Sequence, residues 1–467
     1  MSERKIKALL VHVGPNSSKY LFRSQPLGLM SLAAYAEREL PEAEIDILDL
    51  KVSEYGARDV GRIAAERGAD VVGLSTLTVH AGMLREVAES VRAAAPDALI
   101  AAGGPHATCH PRDLVKNGCV DIAVQGEGEI PFAAILRARI EGRPLEGIPS
   151  SMTPSMSEPA PRETIDDPDT LPFPAWHKID LEAYTRYSSF TILGRRNYMC
   201  LFTSRACPFK CIYCHNIFGN KFRPRGAQNV LSEIRALHEK YGIADFDIID
   251  DVFNLHRERV VEICESIIKD GPRIQMAFPN GLRSDLLDDE LLELMRAAGT
   301  TYISFAIETA SPRLQNFIHK NLNIEKAAHA IRKGASLGIF CNGFFMVGFP
   351  TETEEELRAT IGFAIRSPLD TAHFLKVTPF AGTDLFKHLD PGTIEKYKDR
   401  PEVHIYEDRS FNLSEVPDGK FKRIVHGAFR RFYLNPFRAL SLIRHHPAPL
   451  RMFHFARVAF MRIFIYG

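Results

Sequence analysis

From Lys7 onward, short apolar runs alternate with amphipathic helical stretches, and this alternation restricts the chain to folds built on parallel sheets. "KALLVHVG" is followed by "LGLMSLAAYAEREL", "EIDILDL", a second helical stretch, "DVVGLST", "HAGMLREVAESVRAAAP", "LIAAGG" and "DIAVQGEGE". Parallel neighbours need a long crossover connection, so β-rich runs joined by helices imply βαβ units. Residues 1–145 are expected to form a doubly wound α/β domain.

In such a sheet a ligand binds beyond the carboxyl ends of the strands. Those ends carry Ser75 and Thr76 of "LST", Gly103, Gly104, His106 and Thr108 of "GGPHAT", and Gln125, Gly126 and Glu127 of "QGEGE". Glycines let a large ligand approach the backbone, and hydroxyls offer it hydrogen bonds. No G-x-G-x-x-G opens the first helix, which argues against a dinucleotide. Any α/β domain needs glycines at its strand ends, so these residues alone name no ligand.

A stretch dense in Pro, Ser and Thr, "IPSSMTPSMSEPAPRETIDDPDTLPFPAW", reads as a linker over residues 146–190, with Trp176, the sole tryptophan, buried at a domain junction. Beyond it "YMCLFTSRA" reads as a strand, and the loop "SRACPFKCIYCH" places Cys207, Cys211 and Cys214 in a C-x3-C-x2-C pattern. Alternation then resumes through "DFDIIDDVF", "IQMAFPNGLRSD", "YISFAIETAS", "CNGFFMVGFP" and "TAHFLKVTPFAGT", as in a partial (β/α)6 barrel over residues 191–390. Loops after barrel strands form the active-site face, which is where the three cysteines fall.

Three thiolates fit neither a closed zinc site, which takes four ligands, nor a set of disulfides. They suit three corners of a [4Fe-4S] cluster whose fourth iron stays open to an outside ligand. A zinc site completed by His215 or Cys200 is the competing reading. The remaining cysteines, Cys109, Cys119, Cys200, Cys264 and Cys341, lack ligand spacing and read as small buried hydrophobes. Cys341 begins a strand and has a second reading as a hydrogen donor facing the cavity.

At 467 residues, with 45% apolar and 25% charged residues, the chain is of ordinary globular usage and long enough for several cores. Its start carries no secretory signal, no window approaches the roughly 20 apolar residues of a membrane span, and scattered cysteines suggest reduced thiols in a cytoplasm. Formal charge is zero overall, but no Asp or Glu follows Asp418, while Lys420, Lys422, Arg423, Arg430, Arg431, Arg438, Arg444, Arg451, Arg457 and Arg462 do. Residues 391–467 therefore read as a basic, aromatic helical region. Aliphatic residues dominate over what a phosphate backbone would use, so no nucleic acid is expected. Two readings stay open: an amphipathic segment at the inner face of an anionic membrane, and a helical cap on the barrel with its arginines in water.

"PLGLMSLAAYAE", "IAAGGPHAT", "VQGEGE", "LPFPAW" and C-x3-C-x2-C together resemble the cobalamin-binding class of radical S-adenosylmethionine (SAM) enzymes, over most of residues 1–390. The resemblance implies a [4Fe-4S] cluster on Cys207, Cys211 and Cys214, with SAM chelating the open iron and yielding a 5'-deoxyadenosyl radical. It implies cobalamin contacts from Ser75, Thr76, Gly103, Gly104, His106, Gln125, Gly126 and Glu127. The older signature D-x-H-x-x-G is missing, so no protein histidine (His12, His80 or His106) is expected on cobalt. It places Tyr213 and Gly348, the latter in "GFFMVGFPTE", beside the adenine, and Asp250, Arg283 and Glu308 near the amino acid and ribose of SAM. Asp251 stands next to Asp250, and a structural or SAM-ordering role is expected of this pair rather than acid/base chemistry.

The resemblance further implies methylation of an unactivated carbon on a small or amphiphilic substrate, with electrons from a flavodoxin or ferredoxin. Two alternatives accompany it. One is ring formation or rearrangement without net methyl transfer, as in the anaerobic magnesium-protoporphyrin cyclases. The other is a sensor that binds cobalamin and catalyses nothing.

Overall fold

The computed structural model describes residues 5–16, 23–189, 191, 193, 197–380, 382–398 and 412–446. It divides into two compact units, Met1–Tyr187 with Asn216–Gly219, and Ser188–His215 with Asn220–Gly467.

The first unit is built on strands β1 (Ile6–Val13), β2 (Ala43–Asp49), β3 (Val71–Thr76), β4 (Leu99–Gly103), β5 (Ile122–Val124) and β6 (Ser151–Met152). Their order is β2-β1-β3-β4-β5-β6, parallel except for the antiparallel β5/β6 pair. Helices α1 (Leu27–Glu39), α2 (Asp59–Arg67), α3 (Ala81–Ala94), α4 (Gly104–Cys109), α5 (Pro111–Lys116) and α6 (Glu129–Glu141) fill the crossovers. Alternate residues of β1 serve opposite faces. Leu9, Val11 and Val13 join a core with Val60, Leu84 and Val87, while Ile6, Ala8 and Leu10 join one with Ala33, Phe132 and Leu136. A strand buried on both sides reads as an unbroken apolar run, which is why "KALLVHV" shows no alternation. Chain direction across the sheet reverses between β1 and β3, and the crevice outside their carboxyl ends is where doubly wound sheets take ligands.

Residues after β6 stay with this unit. Trp176 is buried, the Ala175 amide donates to Met30 O at 3.1 Å, and helix α7 (Leu181–Thr185) brings the Tyr184 hydroxyl to Asp49 Oδ2 at 2.6 Å.

The second unit contains β7 (Tyr198–Leu201), a two-stranded ribbon of β8 (Ser204–Arg205) and β9 (Arg223–Pro224), then β10 (Asp245–Ile248), β11 (Gln275–Leu282), β12 (Thr300–Glu308), β13 (Phe340–Val347) and β14 (Thr371–Lys376). Strands β7 and β10 to β14 form one parallel sheet in chain order, with β7 and β14 at its edges. The connections are α8 (Ala227–Tyr241), α9 (Arg257–Asp270), α10 (Asp289–Ala297), α11 (Pro312–Phe317), α12 (Ile324–Ser336) and α13 (Glu354–Arg366), followed by α14 (Pro391–Lys398), α15 (Asp418–Tyr433) and α16 (Pro436–His445). Every strand therefore ends on the same edge, and the loops there come from six different βα turns. Buried side chains decide the helix orientations; in α15 these are Phe421, Val425, Ala428, Phe429 and Phe432.

Candidate active site

The loop after β7 is fastened before it reaches its first cysteine. Asp250, just beyond β10, accepts from the Thr203 amide at 2.6 Å, the Thr203 hydroxyl at 2.5 Å and the Ser204 hydroxyl at 2.6 Å. Burial pushes the Asp250 carboxyl up, against the pull of Arg259 and these donors. Arg259 in turn donates to Thr203 O and, at 2.9 Å, to Arg225 O. Ala206 then takes a left-handed conformation (φ 69°), a strained state for a residue with a Cβ. Further on, the Ile212 amide donates to Ile318 O at 3.1 Å and Ile212 O accepts from the Leu385 amide at 2.7 Å. The Cys214 amide closes a turn onto Cys211 O at 3.0 Å.

Among the described residues no group of His, Cys, Asp or Glu converges on a single ion position. The three thiols nevertheless sit close enough to act on one another. Desolvation raises the Cys207 thiol, and Asp251 and Cys211 raise it further. Cys214 reaches solvent on one side, yet desolvation and the Cys211 and Cys207 thiols push it up to about 12. A multiply charged metal group bound by these sulfurs would stabilise their thiolates together. Three cysteines match the three protein-bound corners of a cube of irons better than the four ligands of a closed tetrahedral zinc site. Cys200 lies buried inside β7, and His215 packs on Phe380 with ring centroids 4.7 Å apart.

The other residues singled out in this half all lie at or just past the strand ends. Tyr213 packs on Phe349 (5.9 Å between ring centroids), and desolvation, Glu308 and the neighbouring thiols hold its hydroxyl well above the usual range. Arg283, one residue beyond β11, lies 3.9 Å over the Phe209 ring of the cysteine loop and pairs with Asp285 at 3.0 Å. Asp251 is open to solvent but ringed by protein, and desolvation together with Asp250 pushes it up to about 6. Gly348 (φ 86°) donates its amide to Glu352 at 2.6 Å.

Glu308 is the last residue of β12 and is left-handed (φ 66°), with Lys320 Nζ 3.3 Å from its Oε1. Lys320 was not anticipated from sequence. It lies between two more left-handed residues, His319 (φ 55°) and Asn321 (φ 50°), in the turn after α11. Gln315 pins both sides of the pair: its side-chain amide donates to Ile307 O at 2.9 Å and Thr309 O at 2.7 Å, and its own carbonyl accepts from the Lys320 and Asn321 amides at 3.1 Å. The Lys320 charge acts on Cys207 and Cys214, lowering both thiols. No motif marks this turn; the only sequence signal was a lysine among polar residues.

Cys341, considered as a hydrogen donor to the cavity, is instead completely buried, with its thiol donating to Ile339 O at 3.3 Å and packed beside Gly334 of α12. The side chain points into the helical layer because β13 alternates its faces.

In the first unit the singled-out residues all occupy the carboxyl edge of the sheet, in two groups. Ser75, Gly103, Gly104 and Gly126 are half-buried at this margin: a Cβ on Gly103 would meet nothing within 4 Å, one on Gly104 (φ 81°) would come 2.6 Å from Ser75 Oγ, and one on Gly126 (φ 73°) 3.3 Å from Ile217 O. The others are engaged inward. The Thr76 hydroxyl donates to Val13 O at 3.0 Å, Gln125 Nε2 to Thr108 O at 2.8 Å, and Glu127 Oε2 accepts from the Ile165 amide at 3.1 Å. His106 is buried against His110, with centroids 5.0 Å apart. At the β1/β3 crevice His12 pairs with Asp49 at 3.1 Å, and desolvation with Lys51 depresses His80 to about 4. Glycines at such an edge let a large ligand approach the backbone closely.

The Radical SAM superfamily model matches residues 201–364, and the B12 binding domain model matches residues 17–136. The chain contains both a radical SAM domain and a B12-binding domain. It is 27% identical over 459 residues to an uncharacterized methyltransferase of Pyrococcus horikoshii, covering 95% of this chain and 94% of that protein. It is 29% identical over 432 residues to the cytidylyl-2-hydroxyethylphosphonate methyltransferase of Streptomyces wedmorensis, covering 80% of each. An anaerobic magnesium-protoporphyrin IX monomethyl ester cyclase of Rubrivivax gelatinosus is 27% identical over 380 residues, covering 78% of this chain and 66% of that one. The fold is that of a radical SAM methyltransferase from Kitasatospora setae, solved with cobalamin and a [4Fe-4S] cluster bound. The TM-score is 0.70 at 21% identity, over 84% of this chain and 79% of the other. SAM, a [4Fe-4S] cluster and cobalamin are the cofactors of such an enzyme.

Proposed function

We propose that this chain is a methyltransferase that adds one carbon to an unactivated carbon of a small-molecule substrate. When bound, the cluster and SAM supply radical chemistry and cobalamin supplies the methyl group. What remains for the protein is to hold, orient and shield.

The observation that carries this reading is the placement of three closely spaced cysteines on a clamped loop at the carboxyl edge of a six-stranded parallel sheet. Cys207, Cys211 and Cys214 would hold the [4Fe-4S] cluster, which supplies the electron for SAM cleavage. Asp250 serves the loop rather than a ligand, since both its oxygens already accept bonds from Thr203 and Ser204. The amino acid end of SAM carries one positive and one negative group. Glu308 faces the first, and Lys320 or Arg283 the second. Tyr213 and Gly348 border the adenine. In the first unit Ser75, Gly103, Gly104 and Gly126 meet cobalamin, while Thr76, His106, Gln125 and Glu127 shape the edge that does so.

The electron donor in this reading is a flavodoxin or ferredoxin. Attachment at the inner face of an anionic membrane is a separate part of the proposal, independent of the reaction. Likeness to the Rubrivivax gelatinosus cyclase supports a second reading, ring formation without net methyl transfer.

The test is anaerobic reconstitution with iron, sulfide, cobalamin and SAM, followed by mass spectrometry of candidate substrates. Addition of one methyl group is expected; a rearranged product of unchanged carbon count would favour the cyclase reading. Cys211→Ala is expected to abolish 5'-deoxyadenosine formation while cobalamin stays bound. Retained SAM cleavage in that variant would contradict the cluster assignment.

A further inference from the structure

Helix α16 is inside out. Among its described side chains, Arg438 is buried while Phe437, Leu440 and Ile443 face solvent. Arg438 is 8% exposed; its guanidinium donates to Leu369 O, to Ile365 O at 2.9 Å and to Ser367 O at 3.2 Å, and lies 3.7 Å over the Phe432 ring. On the same side Ser441 donates to Asp370 at 3.0 Å, and Leu442 packs on a core of Leu193, Ala277, Tyr302 and Phe340. Outward, Phe437 is 82% exposed, Leu440 65% and Ile443 54%, with Leu434 just before the helix at 54%. Phe437, Leu440 and Ile443, at i, i+3 and i+6, fall on one side of the helix, and Leu434 adjoins its start. Of the nine large hydrophobics exposed among the described residues, four lie in these ten positions. Scattered apolar residues on a surface mean little; a row of them on one helix marks a surface that meets something.

Charge decides what that is. Arg430 and Arg431 end α15 immediately before Leu434 and are exposed, and no acidic residue follows Asp418. A second copy of this chain docked through the same surface would set arginines against arginines. An anionic bilayer answers both features, apolar side chains entering the acyl boundary while arginines meet the headgroups. The packing partners Ala277, Tyr302 and Phe340 belong to the amino-terminal halves of β11, β12 and β13. The stripe thus lies toward the end of the sheet opposite the cysteine loop, and docking there leaves the catalytic edge uncovered.

We infer that the α16 stripe of Leu434, Phe437, Leu440 and Ile443, with Arg430 and Arg431, seats this enzyme on an anionic membrane surface. The inference does not depend on the reaction assigned above.

The test is flotation of the full-length protein with vesicles of phosphatidylcholine alone or mixed with phosphatidylglycerol. Binding is expected to the mixed vesicles, weakening as salt rises. Two variants separate the halves of the surface: Phe437→Ser/Leu440→Ser/Ile443→Ser and Arg430→Gln/Arg431→Gln. The first replaces only solvent-exposed side chains and is expected to fold, which its cluster absorbance would check. At least a tenfold loss of vesicle binding is expected in the first, and loss of salt dependence in the second. Equal flotation of native and triple-variant protein would overturn the inference. So would indifference to lipid charge, or a concentration-dependent dimer by ultracentrifugation that the triple variant abolishes.

Discussion

Glu352 shows how much one side chain can reveal. It is fully buried, accepts from the Gly348 amide at 2.6 Å through Oε2, and leaves Oε1 without a hydrogen-bond partner. Desolvation pushes its carboxyl from the ordinary value up to about 8, so it is neutral in the fold at pH 7. An acid whose folded pKa lies above its unfolded one binds more protons when folded. Its stabilisation is full below about 4.5, the unfolded value, and is lost as pH rises through the folded value. Relative to Glu352→Gln, which keeps the acceptor and removes the ionisation, the native protein should lose stability between those values, by at most about 1.4 kcal/mol per pH unit. Urea unfolding of both proteins from pH 5 to pH 9 measures this. A constant difference between them would mean that the carboxyl is charged throughout. The same scale shows what single residues conceal. Nothing about Lys320 as a letter in the sequence distinguishes it from other lysines, because its place opposite Glu308 is set by left-handed backbone at His319 and Asn321 and by Gln315.

Elements were read from the sequence unevenly, for physical reasons. Buried strands are long apolar runs, so β1 to β5 and the six strands of the second sheet stood out, and parallel pairing followed from their crossovers. The antiparallel β6 did not, since two residues carry no period. In the basic tail the sequence left two readings open, an amphipathic segment at a membrane and a helical cap with its arginines in water; Arg438 of α16 departs from the second by burying itself against three carbonyls while Phe437 is exposed. Periodicity finds a face but not which side of it is buried, since a ring of unpaired carbonyls can draw an arginine inward. Residues Arg451, Arg457 and Arg462 of that tail lie outside the described residues. At β13 the turn after the strand depends on Gly348: its φ is 86°, and an added Cβ would come 3.2 Å from Phe421 Cζ. Gly348→Ala is expected to cost about 1–2 kcal/mol for the left-handed backbone alone, more if α15 must shift. An unfolding midpoint equal to that of the native protein would show that the turn rearranges freely.

At the scale of the whole molecule, the catalytic half rests on one arrangement: three cysteines on a fastened loop, ringed by groups that arrive from separate strand ends. The spacing of Cys207, Cys211 and Cys214 announced the centre in sequence. Its surroundings were legible only through resemblance, because Arg283, Glu308 and Gly348 are brought together by sheet order rather than by any local pattern. The cobalamin margin was legible in part. Its glycines stand at the edge, whereas Thr76, Gln125 and Glu127 spend their polar atoms on neighbouring loops. The account depends on a four-iron cluster with one uncoordinated corner. Electron paramagnetic resonance of the reduced, oxygen-protected protein before and after adding SAM tests this most directly. The expected result is a [4Fe-4S] signal that changes when SAM binds; an unchanged signal, or protein that holds zinc on these cysteines instead of iron, would contradict it.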